Sequence, residues 1–260
     1  MREQLHQSPR SFGWQNSRWT LKTIQQTCAW LKNYSASGVW RVLQANGIHY
    51  KRGQEHLHSP DPDYLAKRDR IRRCTRQAQK HPGEVVVLFL DEFSYYRWPT
   101  VAQAYAEMGV RQPRAHLMAG YNTQGRLLAA VETTQGKVLF LQRSHITVHV
   151  LVLFLQQIRQ AFSKARTIYI VQDNWHNVHF HPKQIAAAHQ FGIHLLPLPT
   201  YAPWLNPCEK LGRKLRQDVT HLHPYSQDWP ALKKAVAEFL NQFASGSIDL
   251  LKYIGLLPVQ

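Results

Sequence analysis

Apolar residues recur at helical spacing near the start of the chain, first within 21–31 and again within 36–43. This spacing predicts two short helices joined by a tight turn at 33–35. Ser35 or Ser37 is suited to cap the second helix, and Gly47 to end it. Residues 48–52 are expected to form a short strand or wing with a basic tip. Residues 1–17 are polar and poor in aliphatic side chains, which predicts a flexible lead-in.

Two short helices followed by a basic wing are typical of a helix-turn-helix domain, in which the second helix enters the major groove of DNA. On this interpretation Ser37, Arg41 and Gln44 face base edges, whereas Lys51 and Arg52 face the phosphate backbone. Helical hairpins that bind no DNA are also common, so the pattern leaves both alternatives open.

A linker over 53–62 separates this region from a helix over 63–81, for which Asp61 is the predicted cap. The helix carries a thin apolar stripe and many basic residues: Lys67, Arg68, Arg70, Arg72, Arg73, Arg76 and Lys80. Such a charge run is usually a solvated face, although the same helix could lie along a DNA backbone.

From residue 85 onward, apolar runs of strand length alternate with longer amphipathic segments. The predicted elements are strands at 85–90, 115–121 and 127–132, a helix at 147–162, a strand at 167–172, a helix at 181–191, a strand at 193–198 and helices at 206–220 and 227–244. The first three strands form an antiparallel meander, and two parallel crossovers follow it. The apolar 250–260 segment packs down or meets a partner. This order predicts an α/β fold with a ribonuclease H-like mixed sheet flanked by helices, preceded by a small all-α domain.

These patterns divide the chain into three parts. Residues 1–60 form the lead-in and the helix-turn-helix domain, residues 61–84 form a basic linker helix, and residues 85–260 form the catalytic domain.

Three acids occupy the edges of predicted elements in the α/β part. Asp91 ends the first apolar run, Asp173 follows the strand at 167–172, and Glu209 opens a helix. Neighbouring strand residues point to opposite faces, so only one of Asp91 and Glu92 faces a common site. Asp91 is the choice because the apolar run ends there, and Glu92 is expected to make a salt bridge or a turn contact.

Each acid also has a purely structural interpretation. Asp173 with Asn174 is an ordinary turn pair at a strand end. Asn206, Pro207 and Glu209 form a helix-capping arrangement in which the glutamate satisfies backbone N–H groups. Their joint placement is what favours a site.

Carboxylates on neighbouring strand ends are the usual ligands for Mg²⁺ in phosphodiester chemistry. We expect two Mg²⁺ (or Mn²⁺) ions per site, one activating a water or a DNA 3′-hydroxyl and the other stabilising the departing oxygen. The carboxylates then act as ligands rather than as acid or base. Lys210, Arg213 and Lys214 are expected to hold the DNA backbone. The supporting residues are Asn174, His176, Asn206 and Pro207.

The overall charge favours a polyanionic partner. Lys and Arg number 32 against 16 Asp and Glu, which gives a formal net charge of +16 and a pI near 10.0. Three scattered cysteines predict neither a disulfide framework nor a thiolate zinc site, and they suit a reducing compartment. No segment is apolar enough to span a bilayer. We therefore expect a cytoplasmic, nucleoid-associated protein that binds double-stranded DNA as a homodimer.

Three histidines, His176, His179 and His181, have loop spacing that suggests zinc. No thiolate lies nearby and no His-Glu-x-x-His motif occurs, so we favour histidines that line the cleft or contact phosphate.

Three motifs resemble those of bacterial insertion-sequence transposases related to the mariner elements, the group called IS six-thirty. They are Leu90-Asp-Glu-Phe93, Gln172-Asp-Asn-Trp-His176 and Leu198-Pro-Thr-Tyr-Ala-Pro-Trp-Leu-Asn-Pro-Cys-Glu-Lys210, and the third is the most specific. Thirty-five residues separate Asp173 from Glu209, a spacing similar to that of the family. The resemblance runs from about Arg18 to the C-terminal helix. It implies a DDE recombinase with Mg²⁺ at Asp91, Asp173 and Glu209 that cuts element ends and joins them at TA dinucleotides.

The chain departs from the family pattern at two places. Relatives carry another helix-turn-helix where this chain has about 17 residues, which is expected of a truncated copy or of the second of two reading frames. Gly212 stands where relatives have a tryptophan, and a glycine inside a helix costs on the order of 1 kcal/mol relative to alanine. The alternative functions are a decayed copy that only binds DNA, a structure-specific nuclease, and a hydrolase using Asp91 and Glu92 as an acid and base pair.

Overall fold

The structure is a computed structural model that describes residues 1–51, 59–109, 111–174 and 179–258. The chain divides into two compact units, Met1–His56 and Leu57–Gln260. Within the described ranges, none of the helices combines the length and the apolar composition that a membrane crossing requires.

The first unit is a small helical domain. Its helices are α1 (Arg2–Leu5), α2 (Leu21–Thr27) and α3 (Ala36–Ala45), with 3-10 turns at Pro9–Phe12 and Ala29–Leu31. The predicted helix pair is confirmed. Thr20 caps α2 in a capping box with Thr23, and the Ser35 hydroxyl caps α3 by accepting the Gly38 N–H. The core residues are Ile24, Cys28, Leu31, Val39 and Leu43.

Two expectations for this unit were wrong. Residues 1–17 are not a flexible lead-in, because hydrogen bonds from two indole N–H groups hold this segment against the rest of the unit. Trp14 donates to Thr27 Oγ1 at 2.9 Å, and Trp19 donates to the Gln7 carbonyl at 3.0 Å. Residues 48–51 form no strand. The Ile48 N–H instead bonds the Leu43 carbonyl and closes the end of α3. Arg52 and most of the predicted linker lie outside the described residues.

The second unit is built from five strands and six helices in its described part. In chain order these are α4 (Tyr64–Lys80), β1 (Val85–Tyr96), β2 (Gln124–Glu132), β3 (Val138–Arg143), α5 (Val148–Ala161), β4 (Thr167–Gln172), α6 (Pro182–Gln190), β5 (Ile193–Pro197), α7 (Cys208–Leu215), α8 (Trp229–Asn241) and α9 (Ile248–Ile254). A π-helical turn, Arg216–Thr220, extends α7.

The strands form one mixed sheet in the order β3-β2-β1-β4-β5. β1 pairs antiparallel with β2 and parallel with β4, and β4 pairs parallel with β5. The expected mixed ribonuclease H-like sheet with an antiparallel meander and two parallel crossovers is thus the observed topology.

Helices cover both faces of the sheet. α4, α7, α8 and α9 pack on one face, where Val87, Phe89 and Leu127 contribute to the core. α5 and α6 pack on the other, over Leu88, Leu90 and neighbouring strand residues. The sheet interior is therefore apolar on both sides, as expected for central strands of an α/β fold. The apolar tail packs down in part, since α9 buries Leu250, Leu251 and Ile254.

The meander differs from its prediction in three respects. β1 continues past residue 90 to Tyr96 because β2 pairs with it as far as Gln124. The predicted strand at 115–121 is wrong, since that segment is irregular and pairs with no strand in the described part of the chain. The third strand is β3, which lies at the sheet edge and is only half-buried along most of its length. Its weak burial pattern explains why periodicity did not reveal it.

Candidate active site

Three acidic side chains from distant parts of the chain line one cavity in the second unit. Asp91 lies in β1, Asp173 directly follows β4, and Glu209 lies in the first turn of α7. The cavity has a volume of about 450 Å³. Asn174, Asn206 and the 198–203 loop form the rest of its lining. The structure therefore brings together the three acids that the sequence singled out.

Strand register explains why Asp91, rather than Glu92, faces the cavity. β1 and β4 are parallel with Phe89 opposite Val171, so Asp91 and Asp173 each stand two residues beyond that pair at one level of the sheet. Residues two apart in a strand share a face. Phe89 and Val171 both belong to the core beneath α7, which places the two acids on the α7 side.

The environment of Asp91 disfavours its charged form. Burial and the nearby charge of Glu209 raise its pKa from the ordinary 3.8 to about 7, and the charge of Asp173 adds to the effect. The backbone N–H of Glu92, which donates to Asp91 Oδ1 at 2.9 Å, lowers the pKa but does not offset the rise. A cation among these carboxylates would remove the repulsion and favour the ionised acid.

A buried histidine links Asp173 to Glu92. His179 is 3% exposed, its Nδ1 lies 2.5 Å from Asp173 Oδ1, and its Nε2 lies 3.3 Å from Glu92 Oε1. Burial alone would lower its pKa, but the hydrogen bonds to Asp173 and Glu92 outweigh burial and raise the pKa to about 9. The expected salt bridge of Glu92 is therefore found. The expectation that His179 lines the cleft or contacts phosphate was wrong, because the ring is buried behind the cavity lining and contacts the two acids instead.

The other two histidines of that loop have different positions. His181 caps α6, where its Nδ1 accepts the Lys183 backbone N–H at 3.2 Å. His176 lies outside the described residues.

The start of α7 is seated directly on the central strand. Cys208 is fully buried, and its Sγ donates to the Phe89 carbonyl at 2.9 Å. The Asn206 side chain accepts the Cys208 N–H at 3.1 Å. Gly212 allows the close approach: a Cβ at this position would lie 2.6 Å from the Phe93 ring. Glycine in this helix is thus explained by the space that Phe93 occupies.

The capping alternative for Glu209 is not what the structure shows. The helix begins at Cys208 with Pro207 as its N-cap residue, one position later than predicted. No hydrogen bond to the Glu209 carboxylate is found among the described residues, and the side chain is exposed at the cavity. The carboxylate is therefore available to a ligand in the cavity.

Amide side chains hold the loops around the acids. Asn174 Nδ2 donates to the Leu198 carbonyl at 3.2 Å, which ties the segment after β4 to the segment after β5. Gln172 and Gln184 are fully buried and bond each other through their amides, at 3.0 Å from Gln184 Nε2 to Gln172 Oε1. Gln184 Oε1 also accepts the Phe180 N–H at 2.7 Å. Sequence reasoning missed this pair, because nothing in a local pattern indicates that two amides twelve residues apart meet.

The 198–203 loop is also held from a segment that precedes α4. Asp61 Oδ2 accepts the Thr200 N–H at 2.8 Å, and the Ser59 hydroxyl donates to the Thr200 carbonyl at 2.6 Å. Hydrogen bonds from Lys67 and from Thr200 lower the pKa of Asp61 from 3.8 to about 2. Next to this clamp Tyr201 has a φ of 52°, a left-handed conformation that costs on the order of 1 kcal/mol. The prediction that Asp61 caps α4 was wrong: the N-cap residue is Asp63, and Asp61 Oδ1 accepts the Asp63 N–H at 2.9 Å. The contact of Asp61 with Thr200 was missed.

The predicted DNA-binding residues of α7 differ in accessibility. Lys210 and Arg213 are exposed. Lys214 is engaged within the protein, because its Nζ lies 2.7 Å from Asp218 Oδ2 and 5.3 Å from the centre of the Tyr253 ring.

The corresponding residues of the first unit are mostly accessible. Ser37, Arg41 and Lys51 are exposed, and Gln44 is half-buried. The Ser37 hydroxyl lies 3.0 Å from that of Ser35, which caps α3. Arg52 is not among the described residues.

The donor set at the cavity suits a hard divalent cation, since all three acids offer carboxylate oxygens. Among the residues that the structure describes, no group of three His, Cys, Asp or Glu side chains lies close enough to hold a single ion. A site for two ions shares its ligands between them, so no single ion needs all three acids. The residue types therefore fit a magnesium or manganese site, and the side chains line the cavity without closing around one point.

A comparison with protein families shows to which family the chain belongs. The family model described as "DDE superfamily endonuclease" matches residues 86–233, which include Asp91, Asp173 and Glu209. The chain belongs to this family. It is also 25% identical over 257 residues to a Shigella sonnei protein named "Insertion element IS630 uncharacterized 39 kDa protein", a match that covers 97% of this chain and 73% of that protein. The resemblance to mariner-related insertion-sequence transposases is thereby confirmed.

Solved structures of a mariner transposase share the fold. The "Mos1 transposase paired-end complex with left transposon end" matches 96% of this chain and 74% of its own with a TM-score of 0.63 at 16% identity. The "Mos1 mariner paired end complex with Mn" gives 0.64 at 16% identity over the same shares of the two chains. The corresponding complex with Mg gives 0.60 at 14% identity over 95% and 75%. These likenesses confirm the ribonuclease H-like fold.

Proposed function

We propose that this protein is a DNA transposase of the insertion-sequence type. The main observation in support of this proposal is that three acids from three elements distant in the sequence of a DDE-family chain line one cavity. The solved relatives are described as complexes with transposon ends, which supports double-stranded DNA as the substrate. The reaction is cleavage at the element ends followed by strand transfer into a target, for which we propose TA dinucleotides.

Asp91, Asp173 and Glu209 hold the divalent ions in this proposal, Mg²⁺ or Mn²⁺ at two per site. Such ions supply an activated hydroxyl nucleophile and charge stabilisation at the leaving oxygen. The protein's own residues place the ligands. His179 orients Asp173, the Cys208 thiol seats α7 against β1, and Asn174 joins the two loops that border the cavity.

The two units divide the task. Met1–His56 contains the helix-turn-helix, whose Ser37, Arg41 and Gln44 read base edges while Lys51 and Arg52 contact phosphate. Leu57–Gln260 contains the catalytic sheet, with Lys210 and Arg213 directed to the DNA backbone and Lys214 contributing to the local positive charge. We propose a homodimer on DNA, with one copy of the chain for each element end; the name of the Mos1 paired-end complex supports such an arrangement.

Labelled duplexes that carry the inverted repeats flanking the coding region test this function. With Mg²⁺, the purified chain is expected to cut the repeat ends and to join them to a target containing TA. Cutting without joining would indicate a nuclease instead, and binding without cutting would indicate a decayed copy.

Asp173→Asn is expected to abolish cleavage while leaving the affinity for DNA nearly unchanged. Glu209→Gln is the sharper variant, since the Glu209 carboxylate accepts no hydrogen bond within the described residues and its loss leaves the fold intact. Asp249→Asn, at an exposed position in the first turn of α9, is the matched control and should cleave normally. Retained cleavage in Glu209→Gln would refute the assignment of that ligand.

A further inference from the structure

One face of α4 carries a row of arginines and a lysine that the site does not use. Ile71, Cys74 and Ala78 are buried against the sheet. The opposite face of the helix and one flank carry exposed cations, here called the basic stripe: Arg72, Arg73, Arg76 and Lys80 on the face and Arg70 on the flank. The helix is thus fixed on one side by the core and presents five positive charges to the outside.

The basic stripe has no acidic partners in the described part of the chain. The two ion pairs of α4 use other residues, Lys67 with Asp61 at 2.8 Å and Arg68 with Asp69 at 2.8 Å. Like charges three or four positions apart, such as those of Arg72 and Arg76, destabilise a helix by a few tenths of a kcal/mol per pair. Because no acid in the described residues offsets this repulsion, the arrangement favours a ligand that supplies many negative charges.

The start of α4 is attached to the wall of the acid cavity. Asp61 and Ser59 bond both backbone groups of Thr200, and the Trp204 indole N–H lies 3.3 Å from the Tyr64 hydroxyl oxygen. From this point the helix runs along β1 and away from the acids. At 1.5 Å per residue, its 17 residues span roughly 25 Å. That length corresponds to about seven base pairs of duplex DNA.

We propose that the basic stripe binds the phosphate backbone of the DNA segment that leads away from the scissile bond in the acid cavity. This inference rests on the proposed function and adds a contact surface to it. Guanidinium groups suit phosphate because they donate in a planar fork. A protein partner would require an apolar centre in the interface, and the basic stripe has none.

The test measures how DNA affinity depends on salt. The variant is Arg73→Gln with Arg76→Gln in the full chain. The matched control is Lys164→Gln with Arg166→Gln, which removes the same charge from exposed positions between α5 and β4, at the end of β4 opposite to Asp173. The probe is a fluorescent duplex, and its affinity is measured by anisotropy between about 50 and 200 mM salt.

Each lost phosphate contact lowers the slope of log affinity against log salt by about 0.9, so the stripe variant is expected to lose about 2 from the wild-type slope. The control should keep the wild-type slope. Equal slopes for the stripe variant and the wild type would overturn the proposal, even where cleavage by the wild type supports the proposed function. Conversely, a reduced slope in the stripe variant supports DNA binding by the stripe even if the wild type does not cleave. Failure of the stripe proposal and failure of the proposed function can therefore be told apart.

A second measurement guards against an indirect effect on folding. The three native cysteines are buried, so Arg76→Cys introduces one accessible thiol. A duplex carrying a mixed-disulfide tether on its backbone should cross-link to this variant by thiol–disulfide exchange, which releases the small thiol of the tether, more efficiently than to Lys164→Cys. Equal cross-linking of the two positions would count against the stripe.

Discussion

Replacing Asp91 by Asn should stabilise the metal-free protein at neutral and alkaline pH. The carboxyl is half-buried beside Glu209 and Asp173, and its pKa is raised from 3.8 to about 7. A raised pKa means that the folded state favours the protonated acid. Its contribution to stability is fully present below pH 3.8 and is lost as the pH rises through about 7. Asparagine keeps the shape and stays neutral throughout.

The magnitude follows from the difference between the two pKa values. About three pH units correspond to about 4 kcal/mol at a pH above 7. For a domain of this size that is a rise in melting temperature of roughly 8 to 16 °C. Relaxation of the cavity lowers the figure, so we expect at least about 5 °C.

The assay is thermal and urea unfolding in a chelator at about pH 4.5 and about pH 8. The variant and the wild type should differ little at the lower pH and clearly at the higher one. Glu107→Gln, which removes one exposed negative charge, is the control and should show no such pH-dependent gain. His179 also titrates above neutral pH, but it is present in both proteins and cancels in the difference.

Excess Mg²⁺ or Mn²⁺ should reverse the order at about pH 8, because an ion that binds only the folded wild type stabilises it by mass action. The reasoning would be refuted if the metal-free variant were no more stable than the wild type at the higher pH. In that case Asp91 would not be held in the repulsive environment from which its role as a ligand is argued.

Three further predictions concern the supports of the site. Gly212→Ala should destabilise the protein by about 1–3 kcal/mol in urea unfolding, because the new Cβ would meet the Phe93 ring. This loss is expected despite the better helix propensity of alanine. The double variant with Phe93→Leu should recover part of the lost stability, and a stabilising Gly212→Ala would contradict this packing. Asp61→Asn should lower the free energy of unfolding by about 1–3 kcal/mol at neutral pH. The difference from the wild type should vanish as the pH falls towards 2, where the wild-type acid is also protonated. A difference that does not change with pH would show that the charge of Asp61 is not what stabilises the loop. Gln184→Leu should cost about 1–3 kcal/mol because it leaves the Gln172 amide and the Phe180 N–H unpaired in the core, which an unchanged unfolding midpoint would disprove.

Much of the fold was predictable because its elements are locally encoded. The helices at α2, α3, α5 and α6 follow from apolar spacing and from side-chain caps such as Thr147. The strands β4 and β5 are short continuous apolar runs between turn residues, and both were predicted within one residue of their bounds. Edge elements were harder. β3 is half-buried, and the wrongly predicted 115–121 strand is a mostly apolar run that pairs with no strand in the described part of the chain.

In the candidate site, too, some residues were predictable from the sequence and others were not. The acids themselves stand out in the sequence as carboxylates at the ends of apolar runs and inside family motifs. Their partners do not: the contact of His179 with Asp173 and Glu92 and the clamp of Ser59 and Asp61 on Thr200 join residues far apart or in irregular loops. No local pattern encodes such contacts.

The amino-acid sequence by itself determined which segments are helices and strands, which family motifs they carry, and that a strongly basic chain bears an unusual trio of acids. Only the tertiary structure decided how near α7 comes to β1 through Gly212, which partners hold the acids, and where the charges of α4 point. The physical reason is that periodicity and capping are properties of neighbouring residues. Direction and proximity, by contrast, depend on strand register and on the packing of elements distant in the chain.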